Sequence, residues 1–411
     1  MKLTPKGMRD ILPEDMFVRE EVIEKIRDCF RRFGYRPLET PAMEYLETLR
    51  AKAGEEVDKQ IFVIDGNEYG LRFDLTVPLA RYASATDAPK PFKRYAIDVV
   101  WRKEEQQRGR FREFYQADVD IIGSESMRCE SELLSIAKTI CTSFGFKQPR
   151  ILLNNRKILE AIAQKLELGK NKEEVFRVLD KLDKIGEAEV HALLEEILGP
   201  KKAKELIGIV GTKGENKKKL ALAAKYSPEG AKELEEILSL CDFEIEIDLS
   251  LVRGLGYYTG PVFEVKLAEG MGTVLAGGRY DELLGIYGQP TPAVGISVGI
   301  ERLITLMLER GGEKKKSSTR IFVACTKPEF YKNTMEIAAK FRIAGIDTET
   351  DLNNRNLRKQ FDYANSLSIP FIVIIGEREA KSNTVTFRDM KSGKEENVTV
   401  EKAVEKVRSI K

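Results

Sequence analysis

Apolar positions recur along residues 14–33 at Phe17, Val22, Ile23, Ile26, Cys29 and Phe30. That three-and-four spacing predicts one long amphipathic helix. The preceding stretch MRDILPED, with Pro13 and an acidic pair, suits a helix start. The chain then turns at Phe33-Gly34 and runs extended through Tyr35-Arg36-Pro37-Leu38 to Pro41. From 58 to 123 the pattern changes to short β-type runs, QIFVID, YGLRFDL, RYAIDVVWR and FREFYQADVDIIG, with a turn signal at Asp65-Gly66-Asn67. Residues 128–145 return to helical period (Leu133, Leu134, Ile136, Ala137, Ile140). ILLN (151–154) reads as a strand and 156–167 as another helix.

The character of the chain shifts near 169. From there to about 240 it is rich in Lys and Glu, nearly free of aromatics and helical by period, with apolar faces at Phe176, Val178, Leu179 and Leu182 and at Leu193, Leu194 and Ile197. Strand patterns resume at FEIEIDL (243–249), VFEVKL (262–267) and TVLAGG (273–278), followed by a glycine-rich strand and helix over 294–310. GGEKKKSST (311–319) reads as a linker. Beyond it RIFVAC, a helix over 328–344, IDTETD, a helix over 356–367 and FIVIIG alternate β-α-β-α-β. The expected organisation is a core of 1–168 with 243–312, a helical insertion of 169–242, and a C-terminal unit of 319–411.

Composition narrows the function classes. The 411 residues exceed one typical core, which predicts two or three domains. Net charge is +2, so any nucleic-acid-binding surface must be local. Lys213 and Lys217-Lys218-Lys219 make the helical segment locally basic. Five scattered cysteines, Cys29, Cys129, Cys141, Cys241 and Cys325, form no CxxC, which argues against a disulfide scaffold or structural zinc and points to a cytoplasmic setting. The single histidine, His191, reads as a surface residue and removes a Ser/His/Asp triad or a His-ligated metal from consideration. No apolar run approaches the roughly 18–20 residues of a membrane span, nor does the N-terminus carry a signal-peptide core.

Chemistry concentrates in residues 101–120, WRKEEQQRGRFREFYQADVD. Arg102 and Glu104 stand two apart, as on one face of a strand. A polar Arg-containing loop, 105–110, follows, and the chain returns through Phe111, Phe114 and Tyr115. Arginine grips phosphate with a planar fork, glutamate accepts from an exocyclic amine, and phenylalanine stacks on a base. The set suits a nucleoside triphosphate.

This Arg-x-Glu-loop-Arg-x-x-Phe pattern resembles motif 2 of the class II aminoacyl-tRNA synthetases. FYQADVDIIG (114–123), LVRGLGYYTGPVFE (251–264), AGGRYDELL (276–284) and VGISVGIERL (294–303) are similar to blocks of the histidyl-tRNA synthetase family, in the same order, and the likeness runs from MRDILPED to the end of the chain. The DLT and DVD spellings look like the archaeal and eukaryotic branch. The resemblance implies an α+β protein: a class II antiparallel-sheet catalytic domain with a helical insertion, plus a C-terminal α/β anticodon-binding domain. It also implies a homodimer built on the first helix and strand, and an insertion that leans over the tRNA acceptor stem. The implied reaction activates L-histidine with ATP, accompanied by Mg²⁺, to histidyl-adenylate and pyrophosphate, then transfers histidine to the 3′ end of tRNA(His).

Site roles follow from the same likeness. Arg102 and Arg253 would meet the α-phosphate and the histidine carboxylate. Arg302 would lie against adenine and reach the γ-phosphate. Glu104 would accept the adenine amine, Arg110 would contact the γ-phosphate, Phe114 would stack on the base, and Gly295 and Gly299 would let the backbone approach ATP. Asp74, Thr76 and Gln116 would surround the α-amino group. Asp120 would stand near the imidazole or the amino group, with Tyr257, Tyr258 and Tyr280 as pocket walls. One departure stands out: the family's RGLDYY is RGLGYY here, with Gly256 in the acidic position. Two other readings share the fold, a regulatory paralogue that joins an ATP phosphoribosyltransferase and an idle histidine- or RNA-sensing module. The first typically lacks the C-terminal unit and loses catalytic residues; Gly256 alone favours the second.

Overall fold

The computed structural model describes residues 4–51, 58–104, 111–253, 256–267, 272–310 and 314–409. The chain divides into two compact units, Met1–Asp10 with Arg19–Gly312, and Ile11–Val18 with Glu313–Lys411. The helical run over 169–242 falls within the first.

Among the described residues of the larger unit, eight strands form one sheet: β1 (Arg36–Pro37), β2 (Phe92–Trp101), β3 (Glu113–Ile122), β4 (Arg150–Asn155), β5 (Glu246–Ile247), β6 (Pro261–Lys266), β7 (Thr273–Arg279) and β8 (Ala293–Gly299). Their order is β1-β2-β3-β8-β7-β6-β4-β5. The centre is antiparallel, and only the outermost pairs, β1 with β2 and β4 with β5, are parallel. The sheet is closed to water on both sides along much of β3, whose last seven residues are all buried. The helix Arg128–Ser143 packs against β8 through its apolar stripe, including Leu133, Leu134, Ile136 and Ala137. The helix Ile300–Glu309 packs against β3 and β7. β3 alternates all the same, with Ala117, Val119 and Ile121 on one buried face and Gln116, Asp118 and Asp120 on the other.

The predicted elements appear with revisions, three of them in short strands of the larger unit. The run QIFVID yields only the two-residue strand Val63–Ile64, paired to Tyr69–Leu71 in a separate small sheet with Met43–Tyr45, and the expected turn at 65–67 lies in a short helix, Asp65–Glu68. The strand in YGLRFDL stops at Leu71, and Thr76 opens a helix to Ser84; Pro78 fits in its first turn, where no intrahelical N–H is required. FEIEIDL contributes only Glu246–Ile247.

In the smaller unit the expected β-α-β-α-β run is present as β9 (Ile321–Cys325), β10 (Thr348–Thr350) and β11 (Phe371–Ile375), with helices Tyr331–Ile343 and Leu357–Ser366 between them. Two antiparallel strands follow, β12 (Thr384–Asp389) and β13 (Glu395–Thr399), giving the order β10-β9-β11-β12-β13. One face of this sheet buries Ile321, Val323, Phe341, Phe371 and Val373, and the other buries Phe322, Ala324, Ala364 and Ile372. A sheet with two covered faces supplies the unit with its own core.

Candidate active site

The site is laid out by strand alternation. Phe114, Gln116, Asp118 and Asp120 share one face of β3. Their partners on β8 are small: Gly299 opposite Gln116, Ser297 opposite Asp118, and Gly295 opposite Asp120. The rows continue from Ser297 through Ala276 to Glu264, and from Gly295 through Gly278 to Val262. A floor of glycine, alanine and serine therefore runs between the acidic residues of β3 and Glu264 on β6, a span of about 14 Å at ordinary strand spacing.

Asp120 is held by two neighbours, although its buried Oδ2 has no hydrogen-bond partner among the described residues. The Tyr280 hydroxyl donates to its Oδ1, and the buried Arg94 guanidinium stands 2.9 Å from its Oδ2. Burial raises the carboxyl's pKa, and the Arg94 charge and the Tyr280 bond oppose that rise. Its carboxylate lies over Gly295, where an added β-carbon would come within 2.0 Å of Oδ1. The expectation that Gly295 clears a path for ATP is thus corrected: the space above it is filled by Asp120.

Asp74 accepts the backbone N–H groups of Thr76 (3.2 Å) and Val77 (3.0 Å) through Oδ1, fastening the start of the Thr76–Ser84 helix. Its buried Oδ2 has no hydrogen-bond partner among the described residues. Burial raises its pKa, opposed by the Val77 N–H and the Arg102 charge. Gln116 uses both ends of its amide: Oε1 accepts from Arg102 at 3.1 Å, and Nε2 donates to the Ser297 hydroxyl at 2.7 Å.

Arg102 and Glu104 do not lie on a strand face. β2 ends at Trp101, because the next N–H groups bond Arg112 and then turn away to Gln60. Arg102 is instead held by the Phe73 carbonyl (2.8 Å) and Gln116, with its guanidinium carbon 5.1 Å from the Phe114 ring centre. Glu104 stands 4.0 Å from it. Arg110 lies outside the described residues.

Arg253 donates to Glu264 at 2.8 Å and interacts with Tyr258. Arg302, on the helix after β8, donates to the Thr273 carbonyl, and the Thr273 hydroxyl donates to the second oxygen of Glu264. Thr273 and Glu264 thus join two arginines that are far apart in sequence. Gly299 ends β8 close against its neighbour strand, an added β-carbon standing a tight 3.3 Å from the Val274 carbonyl oxygen. Tyr257, Tyr258 and Tyr280 form one buried cluster, with ring centres 4.9 Å apart for the first pair and 5.9 Å for Tyr257 and Tyr280. Burial raises all three phenol pKa values. The Tyr258 ring covers Gly278, where an added β-carbon would meet it at 2.8 Å. Gly256 is uncrowded, with nothing within 4 Å of an added β-carbon, and borders a cavity of about 760 Å³ with Arg156, Lys172 and Glu282.

Sequence reasoning missed Asp118, Arg94, Glu264 and Ser297. Asp118 has the same alternation as Gln116 and Asp120, so the signal was present. Burial and the neighbouring Asp120 charge push its carboxyl up to about 7, against the Arg94 charge and a hydrogen bond from Ser297. Arg94 and Glu264 acquire meaning only from strand register, which pairs Arg94 with Asp120 and brings Glu264 toward Arg253. His191 is half-buried beside Glu195, outside this site. Among the described residues no group of three His, Cys, Asp or Glu side chains is arranged to hold a metal ion, and no helix is long and apolar enough to cross a membrane.

A central antiparallel sheet that gathers arginines and buried acids on one face, followed by a separate α/β unit, is the arrangement expected of a class II aminoacyl-tRNA synthetase. The histidyl-tRNA synthetase family model matches residues 7–303, and an anticodon-binding-domain model matches 320–410. The chain is 40% identical to the histidine–tRNA ligase of Korarchaeum cryptofilum over 94% of its own length and 95% of the relative's, and 38% identical to that of Aeropyrum pernix over 98% and 97%. The histidyl-tRNA synthetase of a Nostoc species superposes with a TM-score of 0.85 at 31% identity, covering 100% of this chain and 99% of the other. The chain belongs to the histidyl-tRNA synthetase family. A Bacillus halodurans structure described as an ATP phosphoribosyltransferase regulatory subunit/histidyl-tRNA synthetase shares the fold, with a TM-score of 0.76 at 21% identity over 92% of this chain and 98% of that one.

Proposed function

We propose that this chain is a histidine–tRNA ligase whose adenylate-forming site is the floor between β3 and β6. The observation that carries this reading is the placement of Arg102, Arg253 and Arg302 around a floor of small residues beside a buried, acidic, tyrosine-walled pocket. In the first step a carboxylate oxygen of histidine attacks the α-phosphorus of ATP. The bond from that phosphorus to the bridging oxygen breaks, and pyrophosphate leaves. The nucleophile is already ionised, so the protein's work is positioning and charge stabilisation. Arg102 and Arg253 are assigned to the α-phosphate and the histidine carboxylate, and Arg302, with Arg110, to the remainder of the triphosphate. Phe114 and Glu104 are assigned to the adenine, and Gly299 to backbone contact with the nucleotide. Mg²⁺ enters with ATP as part of the substrate, since it keeps several waters and leans on phosphate oxygens.

Asp74, Thr76, Gln116, Asp120, Tyr257, Tyr258 and Tyr280 are assigned to histidine. Buried acids with a shortage of partners favour a substrate that brings an ammonium and ring N–H groups. In the second step the terminal ribose hydroxyl of tRNA(His) attacks the adenylate carbonyl, losing its proton as AMP departs. We assign residues 1–168 and 243–312 to the catalytic core, 169–242 to acceptor-stem contact, and 319–411 to the anticodon. The working form is taken as a cytoplasmic homodimer. Retention of Arg102, Glu104, Arg253 and Arg302 together with the C-terminal unit weighs against the regulatory reading. The test is transfer of labelled histidine to a tRNA(His) transcript: acid-stable, ATP-dependent charging is expected, and its absence under conditions that charge with a known ligase would reject the proposal.

A further inference from the structure

The segment before the first helix touches both stretches of chain assigned to ATP. Gly7 lies at φ +89°, and its carbonyl accepts the Arg112 N–H at 3.0 Å. The Arg112 side chain packs where a β-carbon at position 7 would stand, so the contact requires glycine on both counts. Arg112 also donates through Nε to the Glu104 carbonyl (3.1 Å) and through Nη1 to the Lys6 carbonyl (3.4 Å). Its own carbonyl accepts the Arg102 N–H at 2.8 Å. Residues 6 and 7 are thereby fastened to the backbone that carries Arg102 and Glu104.

Two residues on, Arg9 reaches the other stretch. Its guanidinium carbon lies 3.7 Å from the Phe111 ring centre, and its Nη2 stands 2.6 Å from Glu301 Oε2. Arg19, in the helix Pro13–Arg32, meets Glu301 Oε1 at 2.6 Å, with its guanidinium carbon 5.1 Å from the Tyr115 ring centre. Glu301 is 5% exposed, so its two oxygens are held by arginines in place of water. It precedes Arg302 in the first turn of the helix Ile300–Glu309. Adjacent side chains on a helix project about 100° apart. Holding Glu301 from one side therefore fixes the rotation of the helix, and with it the direction in which Arg302 leaves toward Thr273.

Resting on the assignment of Arg102, Glu104 and Arg302 to ATP, we propose that Arg9, Arg19 and Glu301 are positioning residues for the nucleotide. They clamp the N-terminal segment, already fastened to Arg102 and Glu104, onto the helix that carries Arg302. The two ATP-binding stretches are thus held at a fixed separation. Tyr115, against which Arg19 lies, is on the face of β3 opposite Gln116 and Asp120, so the clamp stands apart from the histidine pocket. Its loss should fall on ATP rather than on histidine. Removing one arginine leaves a buried carboxylate half-paired, which costs more than breaking a surface ion pair.

The test is histidine-dependent ATP–pyrophosphate exchange by the full chain, with ATP and histidine varied in turn. Arg9→Ala is the first variant, because the Arg9 side chain is partly exposed and its loss leaves the core intact. The KM for ATP is expected to rise at least about fivefold, part of the worth of one charge-assisted hydrogen bond, while the KM for histidine stays within about twofold. Arg9→Lys keeps the positive charge and should bring the KM for ATP back to within about twofold of the parent. Glu301→Gln should reproduce the ATP-selective rise; should it impair folding, the two Arg9 variants decide alone. An unaltered KM for ATP in Arg9→Ala, a rise matched by histidine, or no recovery in Arg9→Lys would overturn the proposal. A parent protein that shows no histidine-dependent exchange would refute the ligase reading itself, a different outcome from any of these.

Discussion

Asp120 and Gly295 face each other across β3 and β8, and the aspartate's carboxylate occupies the place where a β-carbon at 295 would stand. The glycine is therefore part of the acid's binding site. Gly295→Ala is expected to push the carboxylate off Tyr280 and Arg94, leaving buried charge poorly paired. Breaking such a pair costs about 3–5 kcal/mol. Denaturant unfolding should show a loss of that order, and the KM for histidine should rise more than the KM for ATP. A silent substitution would contradict the geometry.

Arg253 and Glu264 form a pair in which the carboxylate fixes the guanidinium. Arg253→Ala is expected to reduce adenylate formation by at least about 100-fold, the scale of a lost transition-state donor. Glu264→Gln should retain part of the positioning and lose about tenfold. Single-turnover adenylate formation measures both, and a near-normal rate for Arg253→Ala would reject its role.

Asp118 supplies a pH signature of stability. Its folded-state pKa, about 7, lies above the ordinary aspartate value near 3.9. Between those values the folded form holds a proton that the unfolded form has lost, so its contribution to stability falls as pH rises toward 7 and levels off above it. Asp118→Asn removes that dependence. The unliganded variant is expected to exceed the parent by up to about 4 kcal/mol at pH 8, with the gap narrowing toward pH 5. Thermal melts across pH check this, and a gap independent of pH would contradict it.

Residues 319–411 contain most of a unit with its own buried core. Deleting them is expected to cut tRNA charging by 100-fold or more, roughly, while histidine-dependent pyrophosphate exchange stays within about fivefold. Equal loss of both would mean that the segment supports the folding of the larger unit.

Gln116 and Asp120 were singled out by resemblance rather than by alternation, and Asp118, which shares their face of β3, was passed over. The helix Pro13–Arg32 and the β9–β11 alternation were plain from apolar period. What did not show was whatever depends on pairing between distant segments. Arg94 looked like an ordinary strand charge until register set it opposite Asp120. Glu264 sat unremarked in VFEVKL because its partners, Arg253 and Thr273, arrive from a preceding loop and from β7. Gly295 was misread since its role lies in a neighbour's side chain. The strand around Arg102 was drawn too long because local alternation does not reveal that the Lys103 N–H turns to Gln60.

The most direct measurement is exchange of labelled pyrophosphate into ATP with each amino acid supplied singly. Histidine alone should drive it, at a rate lost in Arg253→Ala. Exchange driven by a different amino acid, or none with histidine, would contradict the assignment of this sheet face as a histidine-activating site.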